Sequence, residues 1–116
     1  MPLLEATFDC VVTIQNGLVL DLSATHFFGR PREEVVGKNV LQLVAPSSRE
    51  DVAQRIQASV VGVYEAVAMG ANAEPVPVEV VSIMSTLNGE PVRVSGLRDL
   101  RAARRLEQER SRLELQ

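Results

Sequence analysis

Apolar and polar residues alternate along the first part of the chain. In "FDCVVTI", every second side chain from Phe8 to Ile14 is apolar and falls on one face, as is typical of a β-strand. The Asn-Gly pair at 16–17 follows directly and accepts the positive φ angles of a tight turn. In "LVLDL" the alternation then resumes. The pattern predicts that the domain opens with a β-hairpin.

The apolar spacing changes to that of helices in the middle of the chain. "RPREEVVGK" predicts a helix of about two turns, with proline near its start and glycine at its left-handed cap. A longer helix is predicted in "PSSREDVAQRIQASV", where Ser47 and Glu50 have capping-box spacing. Along it Val52, Ile56 and Val60 recur every four residues on one face. This face is expected to cover the sheet.

Three further strands are predicted after these helices. "VYEAVAM" and "EPVPVEVVSIMS" come first, and an Asn-Gly turn signal at 88–89 separates them from "PVRVSGL". Pro75 and Pro77 lack the N–H that a strand donates, so the start of the fourth strand is expected at an edge or a bulge. Five strands therefore bracket a group of short helices.

The last part of the chain, "GLRDLRAARRLEQERSRLELQ", predicts a charged helix with a narrow apolar seam. Leu100, Ala103, Leu106 and Leu113 form this seam at close to coiled-coil period. A short isolated helix is marginal in water, so the seam favours a dimeric coiled coil. The alternative is a solvated helix that packs back on its own sheet.

Composition narrows the class of protein. At 116 residues and 46% apolar, the chain suits one domain, and 3% aromatic content without tryptophan favours a valine-rich core. Residues 98–116 carry a net charge of +2 and the rest −5, and an acidic body argues against nucleic-acid binding. With a single cysteine, and no apolar run or signal peptide suited to a membrane span or export, we expect a cytoplasmic protein.

The order of predicted elements resembles that of the PAS domain, a sensory module. The resemblance covers roughly residues 6–100 and rests on "GLVLDLS", "FFGRPREEVVGK", "VYEAVAMGANAEPVPVEV" and "GEPVRVSGLRDL". It implies an α+β fold, with short helices covering one face of a five-stranded antiparallel sheet and a C-terminal exit helix. Residues 1–7 would form an N-terminal flanking segment, 8–100 the PAS-like domain, and 101–116 the signalling helix.

Two stretches depart from the family pattern. PAS domains often carry Asn shortly after the second-strand Asp, where this chain has Ser23, so the first small helix is expected to be shortened or irregular. Between the third and fourth strands, "MGANAE" replaces the usual short polar turn. That hairpin should be longer or looser.

In a PAS fold the small helices close over one sheet face, and apolar residues are expected to line any pocket between them. They are Phe27, Phe28, Val40, Leu43, Val52, Ile56, Val67, Val78, Val80 and Val94. Such a lining would select a small hydrophobic, fatty-acid-like ligand, with no charge available to compensate a buried carboxylate. The alternative is a filled core. Arg93 is interpreted as a solvated strand position, and Glu65, beside Tyr64, as an exposed residue rather than a polar anchor.

Few residues suggest catalysis or cofactor binding. Cys10 is interpreted as an inert core thiol and His26 as a partly exposed or cap-bonded side chain. The longer helix has no His for haem iron, and the cysteine motif and tryptophan of flavin-binding relatives are missing, so we expect neither haem nor flavin. No zinc spacing or phosphate loop occurs. The rival hypothesis is a small α+β enzyme using His26 or Cys10.

The resemblance implies a non-enzymatic sensory, relay and dimerisation module. Such modules serve two-component histidine kinases and the diguanylate cyclases and phosphodiesterases of cyclic di-GMP signalling. We therefore expect a homodimer and a downstream effector domain in the same chain, especially as the exit helix lacks a stop signal after Gly96. The alternative is a purely structural dimerisation or protein-interaction module with a filled core and no ligand.

Overall fold

The computed structural model describes residues 8–114 and contains one five-stranded sheet with two α-helices in these residues. Single-turn 3-10 helices lie at Arg32–Glu34, Val40–Leu43 and Ala71–Ala73. The strands and α-helices, in chain order, are β1 (Cys10–Gln15), β2 (Leu18–Leu22), β3 (His26–Phe27), β4 (Arg30–Pro31), α1 (Pro46–Gln57), β5 (Gly62–Met69), β6 (Pro75–Leu87), β7 (Glu90–Asp99) and α2 (Arg101–Glu114).

The sheet has the order β2-β1-β7-β6-β5, and each neighbouring pair is antiparallel. The last strand therefore lies at the centre, between the first strand and β6. This confirms the α+β class and the five-stranded antiparallel sheet. The expectations for residues 1–7 lie outside the described residues.

Both Asn-Gly turns have the predicted conformation. The φ angles are +53° and +78° at Asn16 and Gly17, and +53° and +81° at Asn88 and Gly89. Two successive positive φ angles match the right-handed twist of the flanking strands, which makes the turn tight. These turns fix the register of β1 with β2 and of β6 with β7.

The proline-rich start of β6 lies at an edge, as predicted. Pro75 and Pro77 pair only with β5, and pairing with β7 begins at Val78, opposite Asp99. A proline there costs no ladder hydrogen bond. The β5–β6 connection is long, as expected, and contains the Ala71–Ala73 turn with Asn72 in the left-handed region.

The two-turn helix predicted in "RPREEVVGK" is wrong. The structure has the β3–β4 hairpin followed by a single 3-10 turn, because this segment bonds to β2 instead of continuing a helix. Gly37 donates its N–H to the Val19 carbonyl at 2.7 Å, and Val19 donates to the Lys38 carbonyl at 2.8 Å. Gly37 does have the left-handed φ of +89° expected of it.

Helix α1 begins without the predicted capping box. Ala45 is the N-cap residue and makes no side-chain capping bond, because Pro46 starts the helix one residue early and places Ser47 inside it. The helix ends at Gln57, and Ser59 adopts a φ of +54°. Val60 is therefore exposed beyond the helix and takes no part in its apolar face.

Candidate functional site

A partly open cavity of about 50 Å³ lies between the inner face of the sheet and α1 and has room for a few water molecules. Eight of the ten residues predicted to line a pocket are in its wall: Phe27, Val40, Leu43, Val52, Ile56, Val67, Val78 and Val80. Further lining residues are Val12, Ile14, Val44, Tyr64, Ala66, Ala68, Arg93, Ser95 and Leu97. The cavity wall is mostly aliphatic. That these residues hold a ligand stays a prediction.

Two of the predicted pocket residues do not reach the cavity. Val94 lies between Arg93 and Ser95 on β7, and side chains alternate between the faces of a strand, so it points away from the cavity. Phe28 packs against the core, with its ring centroid 4.8 Å from that of Phe27 in an edge-to-face arrangement at 73°. Phe28 therefore packs against Phe27, which lines the cavity, without lining it itself.

Arg93 is buried in the cavity wall, so its interpretation as a solvated strand residue is wrong. It is only 4% exposed and lies opposite Ile14 of β1 and Met84 of β6 in the register. The sequence "PVRVSG" favours placing its valines inward. A shift of one residue exchanges the two faces of a strand, and the observed register directs Arg93 rather than Val94 to the inside.

The guanidinium group of Arg93 has no hydrogen-bond partner within residues 8–114: its Nε, Nη1 and Nη2 atoms are all buried and unpaired. Among the described residues, no Asp, Glu, Lys or His lines the cavity. A buried charge without a partner costs several kcal/mol in effective desolvation. The expectation that no charged group would be available to compensate a buried carboxylate is therefore also wrong.

A pair of hydroxyl groups lies beside this charge. Ser95 and Ser82 face each other across β7 and β6, and their Oγ atoms are 2.8 Å apart. Both residues are buried, and Ser95 lines the cavity. Because a hydroxyl both donates and accepts, Ser95 can turn toward a polar group in the cavity while Ser82 remains bonded to it.

Strand β5 connects the cavity with the opposite face of the sheet. Tyr64 and Ala66 line the cavity, and the guanidinium of Arg55 stacks 4.1 Å from the centre of the Tyr64 ring. Glu65, between them, is exposed as predicted and forms an ion pair with Arg104 of α2. A residue in contact with the exit helix therefore lies between two residues of the cavity wall.

The two candidate reactive side chains lie in different environments. Cys10 is buried in the core, where desolvation and the charge of Asp9 raise its thiol pKa to about 12. The thiol is therefore protonated near neutral pH and a poor nucleophile, consistent with the interpretation as an inert thiol. His26 is exposed, with Nδ1 3.0 Å from the hydroxyl of Thr25. Within residues 8–114, no cluster of three potential metal ligands occurs.

Helix α2 is attached to the sheet at its first turn. Leu100 donates its N–H to the Pro77 carbonyl at 2.9 Å, and Arg101 contacts Glu74 at 3.0 Å and Asp99 at 2.7 Å. The Asp99 carboxylate also accepts from the Arg101 backbone N–H. The start of the exit helix is thus joined to β6, β7 and the loop that follows β5.

Beyond that turn the predicted seam faces solvent. Leu100 is half-buried at the base of α2, whereas Ala103 is exposed and Leu106 and Leu113 are 62% and 64% exposed. The alternative in which the helix packs back along its own sheet is therefore wrong beyond the first turn. Among the described helices, none is both long and apolar enough to cross a membrane.

We predict that Asp99→Asn lowers the free energy of unfolding by about 0.5–1 kcal/mol at pH 7. Hydrogen bonds from the Arg101 side chain hold the pKa of Asp99 below its ordinary value of 3.8, against an opposing effect of burial. Because the folded-state pKa is the lower one, this contribution is present above about pH 4 and is lost as the pH falls through the folded-state pKa. Urea unfolding at pH 7 and at pH 2 measures the difference in stability between the wild type and Asp99→Asn at each pH.

Glu74→Gln is the control, since it removes only the more exposed partner of Arg101 and should have a smaller effect. The difference between the wild type and Asp99→Asn should shrink at pH 2. An equal difference at both pH values would contradict an ionic role for Asp99.

The comparisons with known proteins agree with this architecture. A PAS domain family model matches residues 9–102. No curated protein sequence matches the chain. Among solved structures, the PAS domain of an HTR-like protein from Haloarcula marismortui is similar at 20% identity and a TM-score of 0.66, covering 84% of this chain and 89% of that one.

Two other structures share the fold. A PAS domain from Desulfitobacterium hafniense gives 16% identity and a TM-score of 0.69, with 86% of this chain and all of that chain covered. A PAS domain from a two-component sensor histidine kinase gives 9% identity and a TM-score of 0.64, covering 84% of this chain and 92% of the other. With the family model spanning most of its length, the chain belongs to the PAS domain family, whose members are sensory modules of signalling proteins.

Proposed function

We propose that the chain senses a small, largely apolar ligand and passes the signal through α2 to an effector domain of a larger signal-transduction protein. The observation that carries the proposal is the aliphatic cavity between the sheet and α1. Concave, mostly apolar cavities are common sites for small ligands. The module itself performs no catalysis and acts by changing the arrangement of its exit helix.

The route of the signal runs through β5 and β6. Tyr64 and Ala66 face the cavity, while Glu65 between them holds Arg104 on α2. On β6, the carbonyl of Pro77 accepts the N–H of Leu100, next to cavity residue Val78. A ligand that shifts these strands therefore moves the base of α2, and it biases signalling if the two helix arrangements bind it with different affinity.

Dimerisation through α2 completes this proposal. Ala103, Leu106, Arg110 and Leu113 follow the a and d spacing of a heptad, and both leucines are more than half exposed. A second copy would bury this seam and bring two exit helices side by side. A small displacement at each helix base then changes how the two helices meet, which is the input an effector domain receives.

Sedimentation equilibrium of three proteins tests the dimer. We expect the wild type to be a dimer and the double variant Leu106→Glu/Leu113→Glu to be a monomer, because the variant places charges in the seam. The matched control is Gln108→Glu/Ser111→Glu, which adds the same charge at the f and b positions facing solvent and should remain a dimer. A monomeric wild type, or a dimeric seam variant, would overturn dimerisation through α2.

A further inference from the structure

We infer that the cavity binds a small aliphatic carboxylate, with the carboxylate group paired to Arg93 and the hydrocarbon chain against the aliphatic wall. The inference rests on the proposed ligand-sensing function and specifies the chemistry of the ligand. The starting observation is the guanidinium of Arg93, which is 4% exposed. Within residues 8–114 its three nitrogens are unpaired, and no acidic side chain lines the cavity.

The unpaired guanidinium calls for an anion. An arginine side chain stays protonated in proteins, and its planar group of N–H donors matches a carboxylate through two parallel hydrogen bonds. The strand neighbours of Arg93 are Ile14 and Met84, which offer no side-chain acceptor of that kind. A bound carboxylate would satisfy the donors and neutralise the charge together.

The donor inventory favours a carboxylate over phosphate or sulfate. Apart from Arg93 itself, the polar side chains that line the cavity within residues 8–114 are those of Ser95 and Tyr64. One guanidinium and one or two hydroxyls match the single charge and two oxygens of a carboxylate. A phosphate brings more oxygens and up to two charges, and this wall would leave part of them buried without donors.

The rest of the wall sets the size and character of the ligand. Val52 and Ile56 of α1 and Val78 and Val80 of β6 line the same cavity as Arg93, and all four side chains are aliphatic. A cavity of about 50 Å³ holds an acid of about two or three carbons as it stands. Butyrate, hexanoate and octanoate require α1 to move outward. The ligand class is therefore a short-chain aliphatic monocarboxylate rather than a long fatty acid, a sugar acid or a dicarboxylate.

Isothermal titration calorimetry on the full chain tests this inference with acetate, butyrate, hexanoate and octanoate, and with hexan-1-ol as the neutral probe. We expect binding to tighten by about fourfold per added methylene until the cavity is full. Hexanoate should bind at least about tenfold more tightly than hexan-1-ol, because only the carboxylate pairs with the guanidinium.

Three variants test whether the Arg93 guanidinium is the group that binds the carboxylate. Arg93→Met should weaken hexanoate binding by about 10- to 100-fold while changing hexan-1-ol binding by less than about threefold. Arg93→Lys keeps the charge but not the paired donors, so its affinity for hexanoate should lie between those of the wild type and Arg93→Met. Arg98→Met is the matched control, since Arg98 lies on the same strand in an ion pair with Glu79, away from the cavity wall, and should bind like the wild type.

The outcomes separate this inference from the proposed function. Equal binding of hexanoate and hexan-1-ol, with no effect of either Arg93 variant, would overturn the carboxylate site and leave a sensor of neutral apolar ligands. No binding of any probe to the folded wild type would overturn the inference and remove its support for ligand sensing. Circular dichroism of each variant establishes folding, and Arg93→Lys carries the test if Arg93→Met does not fold.

Discussion

Arg93→Met is expected to raise the free energy of unfolding of the ligand-free chain by about 1–4 kcal/mol. Most substitutions of buried residues destabilise a protein, so the expected sign is unusual. It follows from the unpaired guanidinium, whose burial is uncompensated within residues 8–114. Methionine replaces the aliphatic stem of the arginine with a flexible apolar side chain and carries no desolvated charge.

Urea unfolding followed by circular dichroism measures this change, with Arg98→Met as the control. Arg98 is 41% exposed and pairs with Glu79, so its replacement should leave stability within about 1 kcal/mol of the wild type. If Arg93→Met instead lost stability by about 2 kcal/mol or more, the guanidinium would have a satisfied partner in the free protein. Unchanged m-values would assign the difference to stability rather than to the extent of unfolding.

The stability of the ligand-free chain and the binding of a carboxylate both depend on the Arg93 guanidinium. In the ligand-free wild type, the buried guanidinium lowers stability because its charge is desolvated and unpaired, and a bound carboxylate removes this penalty. Arg93→Met has no such penalty, with or without ligand. Hexanoate should therefore raise the melting temperature of the wild type and have little effect on that of Arg93→Met. The more stable variant would be the one that no longer recognises the carboxylate, as is common where binding residues are strained or unsatisfied.

Phe27→Ala is expected to lower the free energy of unfolding by about 3–5 kcal/mol. The Phe27 side chain is 1% exposed, lines the cavity and packs edge-to-face on Phe28. Its removal costs the transfer of a large apolar side chain and also leaves a larger void that the rigid sheet cannot fill. The same void should shift the preferred carboxylate toward longer chains.

Leu18→Ala is the control for this truncation, because Leu18 is 48% exposed and its loss should cost less than about 1 kcal/mol. Phe27→Leu retains most of the side-chain volume, so its loss in free energy of unfolding should lie between those of Phe27→Ala and Leu18→Ala. A loss below about 1 kcal/mol for Phe27→Ala would contradict the packing around the cavity described here.

The strand pattern and turn chemistry made most of the fold predictable. Alternation located the five strands, and Asn-Gly at 16–17 and 88–89 located two hairpins, because few other residue pairs accept those φ angles. The short region before α1 was not predictable in the same way. Its backbone bonds to β2 through Gly37 and Val19, a long-range pairing that local helix signals do not reveal.

The candidate site was predictable for the helices and for β6, where one apolar face has a clear period. The prediction of the inward-facing residues failed at β7, since "PVRVSG" carries valines on one face and Arg93 and Ser95 on the other. Apolar preference assigned the valines to the inside, but the register with β1 and β6 placed Arg93 there. Register across a sheet depends on the partner strands, so sequence alone did not place Arg93, the one charged residue that lines the cavity within 8–114.

A native mass spectrum of the freshly purified chain tests ligand sensing and dimerisation in one experiment, because it reports protomer number and retained ligand together. We expect a dimer carrying a reproducible extra mass in the range of a short aliphatic acid, and we expect this extra mass to be missing from Arg93→Met. A bare dimer would contradict ligand sensing and favour a structural dimerisation module. A bare monomer would contradict both ligand sensing and dimerisation through the exit helix.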